Sequence, residues 1–189
     1  MKTLICIVGK SGAGKETVSN IFKEELGDKY LISSHRFSDP LNEILDILCL
    51  LRERGNQQKL STVLRQSFGE DILGKAVAGR ALKDASEIIF LDGVRRATDM
   101  SVFNELSGKF LVFVDAPLKI RFERLRKRGD RPGDKEKSWE QFINEQDNEA
   151  EKQIDSVAKV ANIIFDNSGD LNSLRSQVAK FIKEKLILA

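Results

Sequence analysis

The chain has 189 residues, 41% of them hydrophobic and 32% charged, with a formal net charge of +2. That length suits one domain with a core of its own; the near balance of charge speaks against a general nucleic-acid or membrane surface, no run approaches the ~20 apolar residues of a membrane span, and the immediate start of an apolar run leaves no room for a signal peptide. A single histidine, His35, removes any histidine-built metal cage or Ser-His-Asp arrangement, and the two cysteines, Cys6 in an apolar strand and Cys49 in an apolar helix, read as buried thiols of a cytoplasmic protein and not as a disulfide.

In chain order, Ile5-Cys6-Ile7-Val8 is a β-branched apolar run that stops at Gly9, and Val18, Ile21, Phe22 and Leu26 open a helical spacing soon after. Between them lies Gly9-Lys10-Ser11-Gly12-Ala13-Gly14-Lys15, which fits G-x-x-x-x-G-K, the Walker A loop, in the strand-to-helix setting that motif needs. The chemistry follows from that setting. Glycines let successive N–H groups turn inward on a polyphosphate, the helix N-terminus adds positive potential, and Lys15 reaches the β and γ phosphates. Gly9 through Thr17 are thus the expected ATP cradle. One position departs: the residue after the lysine is ordinarily Ser or Thr, a Mg²⁺ ligand, and here it is Glu16, with Thr17 one place late. Glu16 and Thr17 are both candidate metal residues.

Lys29 to Ile32 reads as a short second strand, and Asp39-Pro40 as the cap and first residue of a helix. That helix carries Leu41, Ile44, Leu45, Ile47, Leu48, Leu50 and Leu51 on more than one face, as expected of a helix buried on two sides or facing a ligand. Arg52 to Lys59 reads as a polar break, followed by two helical pieces between Leu60 and Leu82. Glu87 to Gly93 is a buried strand ending in an acid, so Asp92 is expected beside the loop, holding Mg²⁺ or its water, with Arg95 and Arg96 just beyond. A short helix over Thr98 to Leu106 and a buried strand over Phe110 to Asp115 come next.

From Pro117, a helix with Leu118, Phe122 and Leu125 runs into a basic segment; residues 119–137 hold nine Lys/Arg and four Asp/Glu. Arg121, Arg124, Arg128 and Arg131 carry the charge that a lid closing over an anionic transition state needs, the other reading being a basic solvated face. Ser138 caps a helix to about Val157, Ala161 to Phe165 is the last strand, and Asp170 caps a final helix with Leu171, Leu174, Val178, Phe181, Ile182 and Leu186 on one face. Two residues keep two readings each. Asp39 accepts a hydrogen bond from an acceptor hydroxyl or only caps a helix, and Asn167 presents its groups to a base edge or lies in a simple turn. Strands alternating with helices make the expected fold α/β, a doubly wound sheet of five parallel strands with the ligand at their carboxyl ends.

The GKSGAGKET loop, the LDGVRR strand end, the VDAPLKIRFERLRKRG helix and the ANIIFDNSG strand together resemble the nucleoside-monophosphate-kinase group of P-loop kinases, over nearly the whole chain. The closest resemblance is to archaeal-type adenylate kinase-related P-loop proteins, themselves similar to dephospho-CoA kinases and phage deoxynucleoside-monophosphate kinases. The resemblance implies a single P-loop kinase domain over 1–189, with an acceptor-binding insertion at about 33–84 and a lid at about 126–137. It implies that Lys15 neutralises ATP phosphates, that Arg95 or Arg96 grips the acceptor phosphate, that Arg124 stacks on adenine and that Arg128 reaches the phosphates. Arg36 and Arg65 become further acceptor-phosphate ligands, and Asp39 stands near the acceptor. A carboxylate in the place of Glu16 occurs among deoxynucleotide-kinase-like members. The expected activity is transfer of the γ-phosphoryl of Mg·ATP to a small nucleotide-like acceptor, first a nucleoside or deoxynucleoside monophosphate. A dephospho-CoA-type kinase and an ATP-binding switch without turnover are the alternatives. The expected partner is the small molecule, with neither nucleic acid nor membrane, and the oligomeric state is left open.

Overall fold

The computed structural model describes residues 2–103, 108–129, 134–146 and 149–186. The apolar runs of the sequence become five parallel strands, β1 (Thr3–Val8), β2 (Ile32–Arg36), β3 (Ile88–Asp92), β4 (Lys109–Asp115) and β5 (Ile163–Asp166), in one sheet of order β2-β3-β1-β4-β5. Leu4 to Val8, Ile88 to Leu91 and Leu111 to Val114 are buried without alternation, as parallel strands covered on both faces must be. The strand order reverses about β1, so the loop that follows β1 is where a doubly wound sheet takes its ligand. Contacts divide the chain into two compact units, Met1–Cys6 with Tyr30–Lys109, and Ile7–Lys29 with Phe110–Ala189.

In the first unit, β2 and β3 pair from Ile32 opposite Ile88 to Arg36 opposite Asp92, and α2 (Asp39–Ile47), α3 (Arg54–Phe68), α4 (Ile72–Lys83) and α5 (Ala97–Ser101) follow the chain around them. Several boundaries differ from expectation. β2 starts at Ile32 because Gly27–Lys29 form a 3₁₀ turn after the first helix of the chain. Ser38 takes the cap position of α2, and the Asp39 carboxylate turns back to accept from the Arg36 N–H at 2.8 Å, closing the turn before the helix instead of capping it. Only Pro40, Leu41 and Leu45 of α2 are buried; the helix stops at Ile47, and Cys49 is exposed in the turn beyond, not buried in a helix. The polar break is shorter than expected, since α3 begins at Arg54 and is fixed to α2 by a 2.7 Å bond from Gln57 Nε2 to Asn42 Oδ1. The expected helix over Thr98 to Leu106 is seen as α5, which ends at Ser101, while residues 104–106 of the expected span lie outside the described residues.

In the second unit, α1 (Lys15–Leu26) buries Val18, Ile21, Phe22 and Leu26, the four residues whose spacing marked it. Phe22 meets Phe165 and Phe181 with ring centroids 6.1 and 5.8 Å apart. The remaining helices are α6 (Leu118–Arg128), α7 (Trp139–Gln146), α8 (Glu149–Ala158) and α9 (Leu171–Phe181), the last running into a π-helical turn, Ile182–Leu186. The helix expected from Ser138 to Val157 is thus seen as α7 and α8, with 147–148 outside the described residues. Both expected caps form: Ser138 Oγ accepts from Gln141 N at 3.1 Å, and Asp170 Oδ1 accepts from Ser173 N at 2.8 Å. Leu171, assigned to the apolar face of α9, instead faces water at the first helical position. Cys6 is enclosed within β1, where burial pushes its thiol up to about 12 and leaves it inert. No helix among the described residues is long and apolar enough to cross a membrane.

Candidate functional site

The loop between β1 and α1 is shaped by what lies against its glycines. A side chain at Gly9 would come within 2.6 Å of the Val114 carbonyl on β4, one at Gly12 within 2.5 Å of the Arg121 carbonyl on α6, and one at Gly14 would overlap Asn167 Nδ2 just after β5. Gly12 and Gly14 also have φ of 80° and 95°, the left-handed region that favours glycine. Three neighbours, on β4, on α6 and just after β5, therefore hold the backbone in a tight arch, closed by Ala13 N donating to Lys10 O at 3.1 Å. Gly14 stands at the N-cap of α1, so the arch leads into the N–H groups of a helix N-terminus. Lys15 lies across its own loop, with Nζ donating to Gly9 O at 2.8 Å and Lys10 O at 3.4 Å. Lys10 contributes backbone to the arch, but its ammonium turns away to Asp155 on α8 at 2.8 Å. Glu16 and Thr17 are exposed on the first turn of α1, and Ser11 is half-buried.

Asn167 connects the loop to α6. It is buried; its Nδ2 donates to Ala13 O at 2.7 Å, while its backbone and side-chain oxygens accept from Arg124 Nη2 at 3.0 and 3.3 Å. The second guanidinium nitrogen of Arg124, Nη1, is buried with no hydrogen-bond partner. Desolvation pulls this guanidinium below its ordinary value, and an unmet buried donor costs about 1–3 kcal/mol. It is a group that a ligand's acceptor atoms or ring face can satisfy. Of the two readings of Asn167, the simple turn leaves out what its amide does here, which is to brace the loop.

The other basic residues of this unit separate by burial. Arg121, expected among the lid charges, is 4% exposed; it donates to Ala116 O at 3.1 Å, Ser11 O at 3.4 Å and Gln146 Oε1 at 2.9 Å, and lies 5.5 Å from the Phe142 ring centroid. It is a brace for the loop, not a free cation. Arg128, at the end of α6, is half-exposed and 3.8 Å from the buried Asp134 carboxylate, which also has Lys137 at 3.6 Å. Arg131 and the rest of the segment 130–133 lie outside the described residues.

The first unit holds the acceptor-side candidates. Asp92 ends β3; its Oδ2 is 3.9 Å from Arg36 Nε, and its Oδ1 is buried with no hydrogen-bond partner. An orphaned carboxylate oxygen at a strand end suits a hard cation such as Mg²⁺. Among the described residues no three His, Cys, Asp or Glu side chains gather into a metal cage, so a metal here takes most of its ligands from phosphate and water. Arg36 and Arg95 are exposed. Arg96 pairs with Glu70, and its N–H donates to Asp99 Oδ2 at 3.3 Å. Arg65 is a correction. It is 6% exposed, paired with the buried Asp99 at 2.7 Å, and it donates to the Glu70 carbonyl. A guanidinium so enclosed ties α3 to α5 and is not available to an acceptor phosphate. Asp99, three residues after Arg96 on α5, and Glu70, between α3 and α4, stand in no motif that marks them in the sequence.

Comparison with known proteins bears on family and fold. A family model described as an AAA domain matches residues 5–155. A UPF0200 protein of Hyperthermus butylicus is 27% identical over 187 residues, covering 96% of this chain and 94% of that protein, and one of Staphylothermus marinus is 27% identical over 168 residues, covering 89% and 85%. Shikimate kinase from Bacteroides thetaiotaomicron superposes with a TM-score of 0.63 at 17% identity, over 99% of both chains. That likeness is one of fold, the five-stranded parallel sheet of the P-loop kinases.

Proposed function

The chain belongs to the AAA-domain family, and on that premise we propose that it is a Mg·ATP-dependent phosphotransferase acting on a small nucleotide-like acceptor, first a nucleoside or deoxynucleoside monophosphate. The observation that carries this reading is the glycine arch ending in Lys15 at the N-terminus of α1, with Asn167 and the unmatched Arg124 nitrogen beside it. The arch and Lys15 bind the β and γ phosphates, which requires Lys15 to leave its own loop carbonyls for phosphate oxygens. Arg124 takes the base and Arg128 the transferring phosphate. Arg36, Arg95 and Arg96 hold the acceptor phosphate, an oxygen of which attacks the γ phosphorus as its bond to the β–γ bridging oxygen breaks. Asp39, with one oxygen on the Arg36 N–H, orders that side of the acceptor. Asp92, Glu16 and Thr17 are the candidate residues for Mg²⁺, which when bound would supply charge neutralisation. Catalysis is then mostly positioning and electrostatics. The test is ADP release from Mg·ATP with a panel of monophosphates, dephospho-CoA and, because structural neighbours are shikimate kinases, shikimate.

Glu16 favours a second reading, an ATP-binding switch without turnover. A glutamate there brings a full negative charge toward the phosphates, and at ~4 Å and an effective dielectric near 20 one such like-charge pair costs about 4 kcal/mol unless a metal offsets it. If Glu16 faces the metal, ATP affinity falls steeply on removing Mg²⁺, and Glu16→Ser flattens that dependence. Titration of both proteins with ATP, with and without Mg²⁺, checks this; equal dependence removes Glu16 from the metal set.

A further inference from the structure

We propose that the turn after α2, residues 47–51, is the contact through which two copies of this chain form a two-fold dimer. Ile47, Leu48, Leu50 and Leu51 are 79, 56, 49 and 75% exposed, with Cys49 exposed among them. Together they leave on the order of 500 Å² of mostly apolar surface in water, near the top of the ~300–600 Å² range of the largest patch on an ordinary monomer.

This is a built feature and not a frayed helix end. Leu48 N donates to Ile44 O at 3.0 Å, Cys49 N to Asp46 O at 3.0 Å and Leu50 N to Leu45 O at 2.8 Å. Cys49 is held at φ 55°, the one non-glycine with positive φ among the described residues. Arg52 then clasps Asp46 through two bonds, Nε to Oδ1 at 2.7 Å and Nη2 to Oδ2 at 2.5 Å, which fixes both ends of the turn. A left-handed residue and a bidentate clasp hold apolar side chains outward, against their own preference for burial.

Area and charge point to a second copy as the occupant. Two such patches face to face bury about 1,000 Å² of apolar surface, the least that a specific interface needs, before any polar rim is counted. Asp46 and Arg52 neutralise each other in the clasp, and beside them Glu53 and Arg54 add adjacent charges of opposite sign. A two-fold axis sets residue i against j and j against i, so a rim with charges of both signs is its own complement. The same balance offers an anionic lipid surface no net positive field.

Sedimentation velocity over a concentration series tests the proposal on the full chain. The wild type is expected to be a dimer that dissociates on dilution. Leu51→Glu is expected to raise the dissociation constant roughly a hundredfold, since the change is made twice per dimer, while Leu51→Met keeps the dimer. Because Leu51 is exposed, the far-ultraviolet circular dichroism and melting temperature of the variant are expected to stay those of the wild type. A short bis-maleimide should link Cys49 to Cys49 in the wild type and not in Leu51→Glu, with the enclosed Cys6 unreactive. A wild type that is monomeric throughout, a dimer that survives Leu51→Glu, or a monomer that floats with anionic phospholipid vesicles would each overturn it.

Discussion

At Gly14 two constraints of different origin meet. The backbone needs φ 95°, and a methyl group would occupy the place of Asn167 Nδ2, the donor that holds the Ala13 carbonyl. Gly14→Ala is expected to lower stability by about 1–2 kcal/mol through backbone strain alone, because alanine resists the left-handed region. It should also weaken ATP binding by well over tenfold, since the arch and the Arg124–Asn167 bond shift together. Urea unfolding and calorimetric titration measure the two effects separately; an alanine variant that binds ATP like the wild type would contradict the cradle geometry. The residue scale is also where the sequence was least complete. Gly9, Gly12, Gly14 and Lys15 stand in a fixed spacing and could be read directly. Arg65 and Arg121 could not, because an arginine destined for a buried ion pair and one destined for a phosphate look the same until the surrounding helices are in place. Asp99 and the Glu70 carbonyl decide the first, and the carbonyls of Ser11 and Ala116 decide the second.

Elements were legible where one period dominated. α1, β3, β4 and the capped start of α9 appear close to their expected places, since the apolar spacing and the cap residues agree there. α2 is shorter than its run of leucines suggests: a helix buried on two sides or facing a ligand is one expectation over Leu41 to Leu51, but the helix stops at Ile47, and Leu48, Leu50 and Leu51 lie exposed in the turn that the Asp46–Arg52 clasp closes. Between β2 and the end of α4 a polar cluster adds a pH dependence. The Asp84 carboxyl is held well below the usual carboxylate range by the Ser33 hydroxyl beside it, by Ser86, whose N–H donates at 2.8 Å, and by His35 Nε2 at 2.8 Å. A carboxyl whose folded value lies below its unfolded value, ~3.9 for Asp, stabilises the fold above that unfolded value and loses the contribution as pH falls through the folded one. Thermal melts of wild type and Asp84→Asn should therefore differ in full above about pH 5, with the gap narrowing steadily below about pH 4 and closing only as the pH falls through the folded value. A gap that is constant with pH would show that the charge of Asp84 does no work in the fold.

For the whole molecule, alternation of strands and helices gives the doubly wound sheet, and the strand order reverses about β1, the kind of point at which such sheets take their ligands. The phosphate loop, Asn167, Arg124 and Arg128 belong to the second unit, and Asp92, Asp39, Arg36, Arg95 and Arg96 to the first. The phosphate-loop motif was legible because it is a fixed spacing of glycines and a lysine between a strand and a helix. The acceptor side was not, since pocket shape in 33–84 depends on helix packing that no local pattern encodes. The most direct measurement follows label from γ-³²P-ATP with Mg²⁺ into the acceptor panel, using wild type and Lys15→Ala. The expected result is labelled product from at least one monophosphate with the wild type, and a loss of at least about a hundredfold with the variant, which keeps its fold because a loop lysine serves the ligand and not the core. Equal transfer by the variant, or ATP bound by the wild type with no label moved to any acceptor, would contradict the phosphotransferase reading.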